Sequence, residues 1–392
     1  MREYLLVILT GIATTYLLVS PVKSFAITIG AQSKVRDRDV HTIPTPRVGG
    51  LAMFGGVAGA LIMASSLPHL RDVFEQTKTA PAVLLAGCLI VLIGVADDLW
   101  EIDPLTKFAG QVAAAGVLIM NGVQMYTLPT PFGGSFSLSQ AYGIPLTVLL
   151  VVATINAVNF IDGLDGLAAG VVGLAALALF VLGYHIADAL TYSSLVPPSL
   201  IAAILVSVCA GFLLHNFHPA RIFMGDTGSM LIGLLIAAAT IQMTSQFDPE
   251  IGRAYETYPL FLPLVLLPMV VVVPYLDMLL AIWRRTNQGM SPFAPDKHHL
   301  HHRLLRLGHS HRQSVLIMYG WVGLMGSCMV AISFVPPNSP NYLRGVVSIT
   351  IVAAITGALF MVGWPRLRAR RAAAAALAAS AESDEPRPRL PV

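Results

Sequence analysis

The sequence predicts an all-α polytopic membrane protein of about eleven transmembrane helices, N-terminus outside and C-terminus cytoplasmic, with one small external β-hairpin. Three observations carry that reading. Hydrophobic residues make up 55% of the 392-residue chain and charged residues 11%, against roughly 25% charged in a soluble domain. Apolar runs recur at the length that crosses a bilayer, about 20 residues. The basic residues gather in alternate connecting segments, as the positive-inside rule requires of a multi-span chain.

The spans fall at 4–22, 48–67, 80–96, 105–121, 143–160, 166–184, 197–217, 228–246, 259–281, 314–334 and 344–364. The first reads as a retained helix instead of a signal peptide, because Glu3 offsets Arg2 and the positive cluster follows the run. Segments 23–47, 97–107, 215–227, 283–312 and 365–392 hold 19 of the 24 Lys and Arg residues, which assigns that side to the cytoplasm. On the opposite side, 124–140 alternates polar and apolar residues around Gly133-Gly134, the mark of a hairpin. Gly55 and Gly59 form a small-xxx-small pair suited to helix packing. Residues 1–365 read as a single transmembrane domain. The tail 366–392 turns basic, then Ala-rich, then acidic and Pro-rich, a juxtamembrane anchor followed by disorder.

Composition also excludes. A net charge of +3, dispersed between apolar runs, gives no footprint for nucleic acid. Cys88, Cys209 and Cys328 all lie inside apolar runs and form neither a disulfide framework nor a set of spaced metal ligands.

Asp97, Asp98, Asp162, Asp165 and Asp226 end or begin long apolar runs on the expected cytoplasmic side. An acid at a membrane boundary is costly and points to function. Asp97 and Asp98 close a helix at its negative pole and repel each other, two penalties that a divalent cation removes. Asp103-Pro104 reads as an N-cap with proline in the first helical position. That puts Lys107 in the first turn, where a cation completes an anion pocket. Asn156, Asn159, Asp162 and Asp165 recur every three residues, which places the first three along one helix face. His215 and Asn216 open the loop that leads to Asp226 in FMGDTGS, where Asp226 fits either a helix cap or a Mg²⁺ ligand. The segment 284–312 holds six of the eleven histidines: His298, His299, His301, His302, His309 and His311. Interleaved Arg284, Arg285, Lys297, Arg303 and Arg306 suit an anionic diphosphate better than a Zn²⁺ cage. Asp277, within a span, is a candidate partner for one of these bases.

The stretches VADDLWEIDPLTKFAGQ, NAVNFIDGLDGLAAG, HNFHPARIFMGDTGS and SPFAPDKHHLHHRLL resemble, in order, the four cytoplasmic signatures of the polyprenyl-phosphate N-acetylhexosamine-1-phosphate transferases. TPRVGG and VPYLDMLLAIWRR also resemble family patterns, and the likeness runs from about residue 34 to 330. PFAPDKHHLHH is similar to the WecA/TagO-like branch that uses UDP-N-acetylglucosamine. The MraY branch has an aromatic-acidic pair that Arg303-Leu304 lacks.

The resemblance implies transfer of N-acetylglucosamine 1-phosphate from UDP-N-acetylglucosamine to a polyprenyl phosphate, with release of UMP. It implies Mg²⁺, with Mn²⁺ as a substitute, held by Asp226 and Asp98. Asp97, Asp98 and Lys107 would then serve the acceptor phosphate. Asn156, Asn159, Asp162, Asp165 and Asn216 would hold the nucleotide sugar, while His298, His299, His301, His302 and Arg303 would meet the diphosphate or sugar. The implied setting is a bacterial plasma membrane with a cytoplasm-facing site, inhibition by tunicamycin, a homodimer as candidate assembly, and a place early in cell-wall or O-antigen glycan synthesis. Two alternatives stand beside it: an MraY-like phospho-muramoyl-pentapeptide transferase, and a secondary transporter with an acidic ion site. A transporter favours midplane sites and internal repeats, and no repeat is evident here.

Overall fold

The computed structural model describes residues 1–32, 44–129, 135–190, 193–245, 263–264 and 310–334. Its elements in chain order are α1 (Arg2–Thr28), α2 (Gly50–Ser65), α3 (Pro68–Gln76), α4 (Thr79–Trp100), α5 (Pro104–Met120), β1 (Thr127–Pro129), β2 (Ser135–Ser137), α6 (Gln140–Ile161), α7 (Leu167–Leu190), α8 (Val196–Asn216), α9 (Gly225–Ser245) and α10 (His311–Ser333). Each expected span from 4–22 through 228–246 has its helix, as does 314–334. The span at 344–364, the tail, and 259–281 apart from 263–264 lie outside the described residues.

Seven of the described helices are long and apolar enough to cross a membrane, and the bent pair α2–α3 makes up to eight. The protein is thus helical and multi-pass. The apolar runs become helices because a backbone in lipid must satisfy its own hydrogen bonds. The short helix α3 was not among the expected spans. It breaks from α2 at 104°, opens on Pro68, and has its first amides, His69 N and Leu70 N, capped by the Glu3 carboxylate at 3.0–3.2 Å.

The centre of the bundle is α9, buried from Thr227 to Ser245 and ringed by α2, α4, α6, α7 and α8. Lipid tails are as apolar as leucine, so such helices associate through close packing of small residues. Gly94 of α4 lies against the Thr227 backbone of α9, where any side chain would collide. Gly55 and Gly59 face Leu18 and Thr14 of α1, the packing role that their spacing implied.

The strands β1 and β2 pair antiparallel, Leu128 opposite Phe136. Ser245 at the end of α9 ties them down, its hydroxyl donating to Gln124 O and accepting from Tyr126 N. The hairpin therefore sits at the end of the bundle where α5 and α9 finish and α6 begins.

Candidate active site at one end of the helical bundle

Helices that alternate in direction bring the C-termini of α4, α6 and α8 to the same end as the N-termini of α5, α7, α9 and α10. The acids Asp97, Asp98, Asp162, Asp165 and Asp226 all fall at that end, opposite the hairpin.

Asp98 and Asp226 are joined through the start of α9. Asp98 Oδ1 accepts from Asp226 N at 3.0 Å, and Oδ2 accepts from Thr227 N at 3.1 Å and Thr227 Oγ1 at 2.6 Å. Asp98 is thus the acceptor that caps α9, a negative charge at a positive helix pole. The cap of α9 thus comes from another helix, while the Asp226 carboxylate meets Asn159 and Lys107. Gly225 takes φ +67 beside the Asp98 carboxylate, a conformation and a closeness that a side chain would forbid.

A second strut supports the same turn. Phe223 N donates to Pro46 O at 2.8 Å, Gly49 N to Phe223 O at 3.0 Å and Gly50 N to Met224 O at 3.0 Å. Residues 46–50 of the TPRVGG stretch therefore run beside the loop that precedes α9. Val48 within it has φ 61, rare for a β-branched residue and a sign of local strain.

Asp226 faces two partners. Asn159 Nδ2 donates to Asp226 Oδ1 at 2.8 Å and to Ser229 Oγ at 2.9 Å, while Lys107 Nζ pairs with Asp226 Oδ2. The same ammonium reaches Asp97 Oδ2 at 3.1 Å. Lys107 is placed by the start of α5, where Asp103 accepts from Leu105 N and Thr106 N at 3.0 Å, the cap its sequence implied. The hydrogen bond from the Thr106 hydroxyl, and those from the backbone, hold the Asp103 carboxyl below its usual range. One turn deeper, Asn156 Nδ2 donates to Gln111 Oε1 at 2.6 Å, so Asn156 reaches across to α5 and not to Asp226.

Asp162 ends α6 and is half-buried. Burial is the chief cause that pushes its carboxyl up to about 7. Asp98 adds to the rise, Arg47 opposes it, and Asp165 adds a smaller push. Arg47 is the residue that sequence reasoning passed over. It carried a family resemblance without a role, yet its guanidinium acts on both Asp98 and Asp162.

Asp165 departs from the Asn156–Asp162 line. Its buried carboxylate turns to the loop after α8, with Oδ2 2.7 Å from His218 Nδ1 and 3.1 Å from Ala220 N. Asn216 is committed to the scaffold: its Oδ1 accepts from Gly166 N at 3.0 Å and its Nδ2 donates to Ile222 O at 2.9 Å. His298, His299, His301, His302, Arg303 and Asp277 lie outside the described residues.

Asp97 and Asp226 thus meet at Lys107, while Arg47 acts on Asp98 and Asp162, whose carboxyl is raised chiefly by burial and further by Asp98. Such a donor set fits a hard divalent cation, which takes one or two carboxylates and completes its shell with water and phosphate oxygens. Asp226, which presents its carboxylate away from the α9 backbone, is the residue best placed to hold it.

Residues 80–244, which include Asp97, Asp98, Lys107, Asp162 and Asp226 but not Arg47, match the glycosyl transferase family 4 pattern. The chain is 47% identical over 363 residues to the decaprenyl-phosphate N-acetylglucosaminephosphotransferase of Mycobacterium tuberculosis, an alignment covering 91% of this chain and 89% of the relative. It is 46% identical over 366 residues to the protein of the same name from Mycolicibacterium smegmatis, covering 92% and 88%. To the undecaprenyl-phosphate alpha-N-acetylglucosaminyl 1-phosphate transferase of Yersinia pestis it is 29% identical over 326 residues, covering 80% and 81%. Similarity of this depth along nearly the full chain, over a site of this composition, places the protein: it belongs to the polyprenyl-phosphate N-acetylhexosamine-1-phosphate transferases, on their WecA/TagO-like side.

Proposed function

We propose that the protein transfers N-acetylglucosamine 1-phosphate from UDP-N-acetylglucosamine to a membrane polyprenyl phosphate and releases UMP. The observation that carries this reading is Lys107 held between Asp97 and Asp226 at the membrane boundary. The relatives with the higher identities are named for decaprenyl phosphate, which makes it the acceptor to test first.

The reaction joins two anions, so catalysis is mainly positioning and charge neutralisation. A phosphate oxygen of the acceptor attacks the phosphorus that bears the sugar, and the bond to the UMP oxygen breaks. Lys107 neutralises one phosphate oxygen, while Asp97 beside it orients that ammonium and faces the acceptor. Asn159 fixes the Asp226 carboxylate, and Asp98 fixes the turn that carries it. Asp226 would hold Mg²⁺, or Mn²⁺ in its place, and the ion would supply positive charge for the diphosphate oxygens. Asp162 and the His298–Arg303 stretch serve the nucleotide sugar, while the buried Asp165 carboxylate is committed to His218 and Ala220 N. Exposed Trp100 at the end of α4 and exposed Leu105 and Phe108 at the start of α5, next to Lys107 in sequence, offer the prenyl chain an apolar approach from the lipid.

The site faces the cytoplasm of a bacterial plasma membrane within an eleven-span chain, and a homodimer is its proposed assembly. A secondary transporter would place its acids at the midplane, and here they sit at one bundle end. A muramoyl-pentapeptide transferase is disfavoured by the N-acetylglucosamine names of the relatives.

The test is purified protein in lipid nanodiscs with decaprenyl phosphate, Mg²⁺ and either UDP-N-acetylglucosamine or UDP-N-acetylmuramoyl-pentapeptide. UMP release is expected with the first donor only, and tunicamycin is expected to block it. Preference for the muramoyl donor would overturn the branch assignment, and no release from either donor would overturn the activity.

A further inference from the structure

Three side chains distant in sequence meet at the bundle end that also carries the Lys107–Asp226 pair, without joining that pair. Asp165 comes from the loop before α7, His218 from the loop after α8, and His311 from the first residue of α10. The Asp165 carboxylate lies 2.7 Å from His218 Nδ1, and the rings of His218 and His311 stack at 4.3 Å with a 19° tilt. One potential ligand atom from each residue falls within 4.8 Å of the others. The Asp165 side chain is 1% exposed and His311 is 8% exposed, while the His218 side chain is 30% exposed, so the cluster is buried at the carboxylate and opens to the surface at His218.

We propose that Asp165, His218 and His311 form a site for a borderline transition-metal ion of the Zn²⁺ class, separate from the hard-cation site at Asp226, which clips the start of α10 to the two loops. The donor chemistry separates the two sites. Two imidazoles and one carboxylate suit zinc, whereas magnesium prefers oxygen alone.

The surroundings are built to hold these residues in place. Ala220 N donates to Asp165 Oδ2 at 3.1 Å, the outer contact that orients a ligating carboxylate. Ser310 and Gln313 form a capping box that fixes the start of α10. Tyr319 Oη donates to Gly166 O at 2.5 Å, and Arg312 donates to His218 O at 3.1 Å. The Arg312 guanidinium, the nearest cation in sequence, is therefore engaged by a carbonyl.

In a tetrahedral shell, ligand atoms sit about 3.3 Å apart. The widest pair, within 4.8 Å, must therefore close by up to about 1.5 Å, and His311 must tilt out of its stack. The His-rich tract as a whole was a poor zinc ligand set because cations interrupt it. His311 leaves that tract and meets a buried carboxylate instead.

The experiment uses the full-length protein, purified without a histidine tag and stripped with chelator, then titrated with Co²⁺ as a spectroscopic stand-in for Zn²⁺. About one equivalent is expected to bind with tetrahedral ligand-field absorption, and Zn²⁺ should displace it. His311→Gln and Asp165→Asn should each abolish that absorption. A variant with His298, His299, His301 and His302 all changed to alanine should keep it. Thermal unfolding in chelator checks that the variants fold, and added Zn²⁺ should raise the midpoint of the unsubstituted protein and not that of His311→Gln. The unsubstituted protein failing to give tetrahedral Co²⁺ absorption at micromolar ion would overturn the proposal whatever the variants do. So would survival of the absorption in His311→Gln or its loss in the four-histidine variant. The trio would then be a hydrogen-bonded staple only. The readout is metal binding and is independent of the transfer activity.

Discussion

Asp226 on the first turn of α9 and Asp98, which caps that turn from α4, have different work, and substitution should separate them from their neighbours. Asp226→Asn keeps the size and the contact from Asn159 while removing the charge that faces Lys107 and the ion. Turnover should fall by about 10²–10³-fold or more, the scale of removing one electrostatic stabiliser, with membrane insertion unchanged. Asp97→Asn should also stop turnover, yet leave Mn²⁺ binding detectable by paramagnetic resonance with UDP-N-acetylglucosamine present. Near-normal turnover of Asp226→Asn at low Mg²⁺ would move the ion to Asp97 and Asp98. Asp162 adds a pH dependence. Its folded-state carboxyl is raised to about 7, chiefly by burial, while the unfolded chain ionises near the ordinary value of about 3.9. Between those values the folded state holds the proton and the unfolded state does not, so stability is full at acidic pH and falls as pH rises toward 7. In chelator, the unfolding midpoint should drop between pH 5 and pH 8, and Asp162→Asn should flatten that drop. An equal drop in the variant would assign it to another group.

At the scale of elements, the close approach of α4 and α9 is what allows Asp98 to cap the Asp226 turn. Gly94 lies against the Thr227 backbone, and the atoms it meets are main chain and cannot rotate away. Gly94→Ala should cost about 1–3 kcal/mol, as overpacking does, and should lower turnover although residue 94 touches no substrate. The checks are the unfolding midpoint and UMP release; full activity at reduced stability would uncouple the helix contact from the site. The helices themselves were legible because bilayer thickness dictates the length of an apolar run, and the α5 start was legible because Asp103-Pro104 is a local signal. What stayed hidden depends on contacts between distant segments. Period-three spacing stops mapping onto a face once α6 ends at Ile161, so Asp165 turns to His218 while Asn159 meets Asp226. Arg47 reaches the site because residues 46–50 pair with Phe223 and Met224, and no spacing rule reports that pairing. The short α3 buries only Leu70 and Val73, too little apolar surface to announce itself as a run.

For the molecule as a whole, the distribution of charge fixes how the bundle is expected to stand in the membrane. Lys23, Arg47, Lys107, Arg221 and Arg312 belong to the end that carries the acids, while Arg2, Arg71 and Lys78 belong to the opposite end, with α3. Short basic segments are retained in the cytoplasm, so the acidic site should face the nucleotide-sugar pool and the hairpin should face outward. Single cysteines introduced into a background lacking Cys88, Cys209 and Cys328 test this in intact cells with a membrane-impermeant thiol reagent. Ser135→Cys in β2 should label, whereas Leu300→Cys and Ala375→Cys should label only after the membrane is opened. The two protected positions probe different claims: Leu300 lies in the histidine segment that the proposed chemistry requires on the donor side, and Ala375 lies in the basic tail. Labelling of Leu300→Cys from outside would separate the histidines from a cytoplasmic donor and defeat the site as proposed. Labelling of Ala375→Cys alone would change only the number of spans after α10, because the Lys107–Asp226 arrangement does not depend on where the tail ends.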